Sequence, residues 1–420
     1  MILQQSLART RRSQAGPSQR APFRAAQTAL LCAATCLIPL LALVLASCDD
    51  PSTASDIPTP TVATTVTHIT PTAHPVRPAL TNSSTSQLAS QVDSLFSGLV
   101  AQNQFSGSVL VAKDGHIALA KGYSMADWQT QVPNTPLTRF YLGSVTKEFT
   151  AMAILLLQQR GKLDVHKSIC VYISPCPSPW QPVTIHNVLT HTSGIPELDT
   201  SQLSGASPAA WIASFDSYPL HFTPGSEFVY CSVCYQILGY VVQQVSGMPY
   251  SQFMLQNIFQ PLHMDATGFD STLYYNQGID AHGYDTWKNE SDQLGWQMGP
   301  YWSFLFASGL LYSNVGDLYR WDQSLYTTLL FSQQTLNEAF TSYTSGSLFA
   351  GSTYGYGWFI AKSPVPGHRL IWHDGVIDGF RTYIGRYIDD HITVIFLSNL
   401  ATVDSPVLAQ KVQHVVFANV

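Results

Sequence analysis

The stretch GSVTKEFT, residues Gly143 to Thr150, places a serine and a lysine three residues apart at the start of an apolar segment. The segment continues as AMAILLLQQRG, which is apolar on nearly every side and predicts a buried helix that ends at Gly161. Residues three apart on a helix lie on the same face, so Ser144 and Lys147 would project together. Two interpretations follow. Either Ser144 is a helix N-cap beside a solvated lysine, or it is a nucleophile that Lys147 activates as a base.

The composition limits the possible partners and the location of the chain. The chain has 420 residues, 45% of them hydrophobic and only 11% charged, with a net charge of -6, which argues against a nucleic-acid partner. Residues 1–47 contain several arginines followed by an apolar stretch, an order that is typical of a secretory signal. The stretch ends in LASC, which resembles the bacterial lipobox and predicts cleavage before a lipidated Cys48. An uncleaved membrane anchor is the alternative. Both predict an extracytoplasmic protein attached to a membrane.

The remaining chain divides into a stalk and one folded domain. Residues 48–87 are rich in Thr, Pro and Ser and predict an extended stalk. Residues 88–420 predict the domain, which begins with a helical pattern and a hairpin around Asp114-Gly115. Its middle favours helices, and its end contains the strands HRLIWHDG, FRTYIGRYI and HITVIFLSNL before a final helix. We therefore expect an α+β fold, in which an antiparallel sheet is flanked by helices and joined by a mostly helical subdomain.

Four cysteines lie in the predicted domain. Cys170 and Cys176 flank a short loop that contains proline, and an oxidising compartment makes a disulfide between them the first choice. Cys231 and Cys234 form a CxxC motif, which is compatible with a second disulfide, a free pair or half of a zinc site. Zinc is the least favoured of these, because no second CxxC or histidine pair has matching spacing.

Two further elements contain groups that could act on a substrate. Tyr230 follows a Pro-Gly turn and precedes an apolar helix, where it could relay a proton to and from Ser144. The stretch IWHDG, at the predicted end of a strand, places His373 and Gly375 where they could line the opposite wall of a cleft. The alternative interpretations are a buried aromatic residue and an ordinary strand-end turn.

The order Ser-x-x-Lys, Tyr and His-x-Gly resembles the serine β-lactamase and penicillin-binding-protein superfamily, most closely its class C β-lactamase and esterase-like branch. The segments VTIHNVLTHTSGIPE, IFQPLHMDATGF and ASGLLYSNVGDLYRWDQSLY are similar to other segments of that family. The resemblance extends from Phe105 to the C-terminus and implies a β-lactamase/transpeptidase-like fold. It also implies a serine hydrolase that needs no metal or cofactor.

The resemblance implies a role for each residue that matches a family motif. Ser144 would be the acylated nucleophile, Lys147 its general base and Tyr230 a second acid/base residue. The oxyanion hole would be the backbone N–H groups of Ser144 and of Val376, which follows Gly375.

Two substrate-binding positions depart from the family pattern. Ser232 stands where the family has Asn, and a hydroxyl offers a shorter donor than an amide. His373 stands where the family has Lys, and a neutral histidine would hold a substrate carboxylate less strongly. Both changes favour an esterase or a peptidase over an efficient β-lactamase. The expected substrate is a small ester, amide, lactam or peptide. The alternatives are a penicillin-binding sensor that is acylated without turnover and a catalytically inactive structural relative.

Overall fold

The computed structural model describes residues 83–198, 207–269, 279–290, 306–362 and 367–418. The predicted signal, Cys48 and residues 48–82 of the predicted stalk lie outside the described residues. Residues 83–87, predicted as the end of the extended stalk, instead form the start of a helix that packs with the domain. No helix within the described ranges is both long and apolar enough to cross a membrane.

The described residues form helices and strands that follow one another in blocks along the chain. The helices are α1 Ser83–Ala101, α2 Thr146–Gln159, α3 Ile185–Leu189, α4 Pro208–Ala213, α5 Ser232–Ser246, α6 Tyr250–Met254, α7 Val315–Ser324, α8 Gln333–Ala339 and α9 Ser405–Phe417. The strands are β1 Gly107–Lys113, β2 His116–Tyr123, β3 Met125–Asp127, β4 Val132–Pro133, β5 Phe140–Tyr141, β6 Tyr284–Thr286, β7 Asn289–Glu290, β8 Tyr312–Ser313, β9 Ser352–Tyr354, β10 Phe359–Lys362, β11 Arg369–Ile377, β12 Phe380–Tyr387 and β13 Ile392–Ser398.

Seven strands form the main antiparallel sheet, in the order β2-β1-β13-β12-β11-β10-β9. The predicted hairpin is confirmed: β1 and β2 pair across Asp114 and Gly115, whose φ angles of 52° and 72° are those of a primed hairpin turn. Strand β1 also pairs with β13, so the first strands of the domain complete a sheet built by the last ones. The predicted antiparallel sheet with flanking helices is therefore confirmed.

The sheet is buried on both faces, because side chains alternate along each strand. Val109 and Val111 of β1 join a cluster with α1 and α9, whereas Leu110 joins the larger cluster around α2 and α5. Helix α2 lies in the middle of that larger cluster, and its residues from Thr146 to Leu157 are all buried. The prediction of a buried helix is therefore confirmed, and α2 is apolar on nearly every side because other helices and the sheet surround it.

Strand β11 departs from the prediction, because IWHDG does not end the strand. Pairing with β12 continues to Ile377, and Gly375 lies opposite Thr382. On its other side, β11 pairs with β10 only as far as Trp372. The final residues of β11 therefore have one edge that pairs with no described strand, and the turn before α2 packs against that edge.

Candidate active site

Ser144 lies in a single 3-10 turn, Gly143–Val145, directly before α2. The N-cap of α2 is Val145, and no side chain makes a capping hydrogen bond there. The capping interpretation of Ser144 therefore does not apply. Its side chain is partly exposed, as an attacking hydroxyl must be.

Lys147 is fully buried, so it is not a solvated surface lysine. Its Nζ atom lies 3.0 Å from Ser144 Oγ and 2.7 Å from the carbonyl oxygen of Ser308. Burial lowers the pKa of Lys147 to about 7, and the carboxyl groups of Glu197 and Asp374 oppose part of that shift. Near neutral pH a large fraction of this lysine is therefore an uncharged amine beside a serine hydroxyl.

The carbonyl group of Ser308 is held in place by the segment that precedes α7. In that segment Ala307 O accepts a hydrogen bond from Thr150 Oγ1 at 2.7 Å, and Leu311 N donates to Thr146 Oγ1 at 3.2 Å. Both threonines belong to α2, so the segment is fixed along the same helix that carries the lysine. Sequence reasoning did not identify Ser308, because a backbone carbonyl acts without regard to side-chain type.

Tyr230 lies against Lys147 from the other side. The lysine Nζ is 4.9 Å from the centre of the tyrosine ring, and His191 stacks on that ring at 4.3 Å. His191 Nδ1 also accepts a hydrogen bond from Cys231 N at 3.0 Å, so the histidine holds both the ring and the next peptide group.

The hydroxyl group of Tyr230 is buried and has no hydrogen-bond partner among the described residues. Burial raises the pKa of Tyr230 well above its usual value, while the Ser144 side chain opposes the rise. Tyr230 is therefore a neutral phenol whose proton is available to a bound substrate.

Two disulfides occur among the described residues. Cys231 and Cys234 are bonded at the start of α5, and Cys170 and Cys176 are bonded around their short loop. The first pair brackets Ser232, which begins α5 and is partly exposed beside the tyrosine.

The end of β11 reaches the serine turn through two glycines. A Cβ on Gly143, whose φ is 54°, would lie 2.7 Å from Val376 N, and a Cβ on Gly375 would collide with Leu142 O. Thr382 Oγ1 donates to the same Leu142 oxygen at 2.6 Å and fixes the contact. Only glycine at these two positions allows the backbone of Val376 to approach the turn that carries the serine.

His373 lies beneath the cleft rather than in its wall, because the side chain is only 1% exposed. Its Nδ1 atom is 2.6 Å from the carbonyl oxygen of Asp374, which can only accept, so Nδ1 carries the proton. Nε2 then accepts from the hydroxyl group of Tyr354 at 3.1 Å. Burial lowers the pKa of His373 to about 3, so it is neutral and both ring nitrogens are engaged.

Two carboxyl groups that sequence reasoning missed lie around the lysine. Glu197, in the segment HTSGIPE, accepts from Val233 N at 3.2 Å at the start of α5. Asp374 follows His373 in β11, and its side chain is 14% exposed. Burial raises the pKa of both residues, that of Asp374 to about 6. Their positions in the sequence could have identified them, because Glu197 ends the segment VTIHNVLTHTSGIPE and Asp374 lies in IWHDG.

The comparisons with known proteins agree with this arrangement. Residues 92–416 match the family described as Beta-lactamase. The chain is 32% identical over 299 residues to the PbpX protein of Bacillus subtilis strain 168, covering 70% of this chain and 71% of that protein. It is 28% identical over 348 residues to penicillin-binding protein 4* of the same strain, covering 78% and 75%. The octameric penicillin-binding protein homologue from Pyrococcus abyssi has a similar structure, with a TM-score of 0.67 and 27% identity over 78% of this chain and 77% of that one.

Proposed function

The chain belongs to the beta-lactamase family, and from that premise we propose that it is an extracytoplasmic serine hydrolase. Ser144 would form an acyl-enzyme with a small ester, amide, peptide or lactam. Family membership supports a serine hydrolase or a penicillin-binding role in general. The signal-like N-terminus and the two disulfides support a location outside the cytoplasm.

One observation carries the proposal: the buried amine of Lys147 lies 3.0 Å from Ser144 Oγ. A serine hydroxyl is a weak nucleophile until a base removes its proton. Ser308 O accepts one N–H of the lysine, which leaves the lone pair of the neutral amine free to accept from the serine. Burial therefore provides a base whose pKa lies near the pH at which it works.

The acylation step follows from these contacts. Ser144 Oγ bonds to the substrate carbonyl carbon, and its proton passes to Lys147 Nζ. Negative charge on the carbonyl oxygen is stabilised by the backbone N–H groups of Ser144 and Val376. The phenol of Tyr230 gives its proton to the leaving oxygen or nitrogen as that bond breaks, and Lys147 returns a proton to the tyrosine. The product alcohol or amine leaves, and the acyl group stays on Ser144.

Deacylation uses the same groups in the reverse direction. A water molecule attacks the acyl carbon and gives a proton to the neutral amine of Lys147, and a proton then passes to Ser144 Oγ as the ester bond breaks. The carboxylic acid is released and the three residues return to their initial protonation states. No metal or cofactor takes part in any of these steps.

The substrate preference is set by the two departures from the family pattern. Ser232 offers a hydroxyl donor in place of an amide, and the neutral, buried His373 offers no charge to a carboxylate. Both changes favour an ester or a peptide over an efficiently hydrolysed β-lactam.

The names of the relatives favour a second candidate. Penicillin-binding protein 4* is named for its binding of penicillin. This chain would then be acylated by a penicillin at Ser144 and would release the acyl group slowly.

Intact-protein mass spectrometry of the full chain tests both candidates. We expect one adduct from a fluorophosphonate probe, absent from Ser144→Ala. A penicillin adduct that persists favours the binding role, whereas probe labelling alone together with ester turnover favours the esterase. No adduct with either reagent would contradict the proposed function and leave a structural relative without the chemistry.

A further inference from the structure

The charges around the acylation site have an unexpected sign. His373 occupies the place of a family lysine but is neutral, because its two nitrogens are engaged by Asp374 O and Tyr354. The residue that follows it, Asp374, is an acid. Glu197, which accepts from Val233 N at the start of α5, also acts electrostatically on Lys147. The described part of the cleft therefore presents carboxylates where a carboxylate substrate would need a cation.

Asp374 has no ion pair that neutralises it among the described residues. Arg381 acts on it electrostatically, but its Nη1 atom donates to the carbonyl oxygens of Ile377 and Phe380. Lys147, which also acts on Asp374, is directed to Ser144 and Ser308. A partly exposed carboxylate in this position gains from a cation that a substrate brings.

The two acids lie close to the pair formed by Tyr230 and Lys147. Glu197 accepts from Val233 N, three residues after Tyr230, and the tyrosine is the residue that protonates the leaving group in the proposed function. Both acids also act electrostatically on Tyr230 as well as on Lys147. The groups that protonate the leaving group and the two carboxylates therefore share one part of the site.

We infer that the leaving-group side of the cleft binds a cationic group, so the preferred substrates are esters or amides whose leaving alcohol or amine carries a positive charge. Asp374 is the main specificity-determining residue and Glu197 adds to it. This inference rests on the proposed function, since it describes the substrate of the same acyl-transfer site. The reaction is ordinary hydrolysis: the acyl–oxygen or acyl–nitrogen bond breaks, water supplies the new bond, and the cationic alcohol or amine leaves with its charge unchanged.

A matched set of butyrate esters tests the inference with the full-length chain. Butyrylcholine carries a permanent positive charge, 3,3-dimethylbutyl butyrate has nearly the same shape without charge, and carboxymethyl butyrate is an anion. We expect kcat/KM to fall in that order, with roughly a tenfold preference for the choline ester over its neutral analogue from a partly screened charge pair. The preference should shrink as ionic strength rises.

Two variants locate the preference. Asp374→Asn should remove most of the choline preference, measured as the ratio of kcat/KM for the choline ester to kcat/KM for the neutral ester, because the amide keeps the shape and loses the charge. Glu197→Gln should reduce the preference by a smaller factor. Asp389→Asn is the matched control, because it removes one negative charge at the exposed turn after β12 and should leave the preference unchanged.

The outcomes separate the inference from the proposed function. Turnover of the neutral ester, lost in Ser144→Ala, supports the proposed function regardless of charge. If the choline ester is then no better than its neutral analogue, or if its advantage survives both Asp374→Asn and Glu197→Gln, the inference is overturned and the hydrolase stands. If no ester is turned over and no fluorophosphonate adduct forms, the proposed function fails and the inference fails with it.

Discussion

Two buried cations in this molecule differ in what surrounds them. Arg386 of β12 is 1% exposed, and its Nε atom is paired with Asp322, which is itself fully buried. Thr393 donates to the same carboxylate, and the guanidinium lies 4.7 Å from the centre of the Tyr326 ring. Lys147 is equally buried, yet its hydrogen-bond partners are a serine hydroxyl and a backbone carbonyl.

The difference separates a structural charge from a reactive one. A buried cation with a hydrogen-bonded carboxylate keeps its charge, and breaking the pair leaves an isolated ion in a dry interior. A buried lysine without such a partner lowers its pKa and becomes a neutral amine, which is a base. We therefore expect Lys147 and Arg386 to contribute to different properties of the protein, activity for the first and stability for the second.

The largest expected effect is on catalysis. Lys147→Met should reduce ester turnover by roughly 10⁴-fold or more, as removal of one member of a catalytic unit does. The free energy of unfolding should equal or exceed that of the wild type, because a desolvated amine is replaced by an apolar side chain of similar length. Turnover is measured with the neutral butyrate ester, and stability by urea denaturation of the same sample. A variant that is both inactive and unfolded would make Lys147 a structural residue and break the comparison.

Arg386→Met should show the opposite pattern. Loss of the guanidinium leaves Asp322 buried without its partner, so the free energy of unfolding should fall by about 3–5 kcal/mol. The folded fraction should keep a kcat/KM near the wild-type value. The double variant Arg386→Met with Asp322→Leu is the control, and it should recover much of the loss in denaturation midpoint. A single variant as stable as the wild type would show that the ion pair contributes nothing.

The pH dependence sharpens the contrast. Because the neutral amine is the active form, kcat/KM for the neutral ester should rise about tenfold per pH unit below 7 and level off above it. Unfolded Lys147 keeps its proton up to about pH 10.5, the ordinary value, so between pH 7 and 10.5 the unfolded state binds the extra proton. The free energy of unfolding should therefore increase with pH in that range.

Two variants test whether Lys147 causes the pH dependence of kcat/KM and of the free energy of unfolding. Lys147→Met should lose the rise in stability between pH 7 and 10.5. Asp374→Asn removes a carboxyl group that raises the pKa of Lys147, so the inflection of kcat/KM should persist and move below pH 7. An inflection that disappears in Asp374→Asn would assign the base to Asp374 instead.

The smallest effect is expected at the surface. Arg369 and Asp389 form an ion pair at 3.3 Å, with side chains 54% and 49% exposed. Arg369→Gln should change the free energy of unfolding by less than about 1 kcal/mol, because water screens the pair. The denaturation midpoints of Arg369→Gln and Arg386→Met are compared under the same conditions. A loss as large as at Arg386 would mean that burial is not what distinguishes the two arginines.

Much of the fold was predictable because local patterns repeat along the chain. The Asp114-Gly115 turn and the apolar run of α2 each specify an element without reference to distant residues. Strands β9 and β10 were not predicted, since three or four residues are too few to show a period. The extension of β11 past Gly375 was also missed, because it depends on pairing with β12.

The sequence by itself determined which residues are candidates for the chemistry and which family the chain resembles. The motifs around Ser144, Lys147 and Tyr230 occur in the order that the family has, and chance rarely produces that order together with the other similar segments. This order can be recognised without knowledge of the fold. The stretch GSVTKEFT was equally compatible with a serine that caps a helix and a lysine exposed to solvent.

Only the tertiary structure decided between these interpretations. Burial of Lys147, its contact with Ser308 O and the neutral state of His373 arise from residues distant in sequence. The acids at Glu197 and Asp374 likewise act on the site only because folding brings separate segments together. Desolvation and Coulomb interaction depend on distances in space, so the sequence specifies the groups and the fold sets their charges.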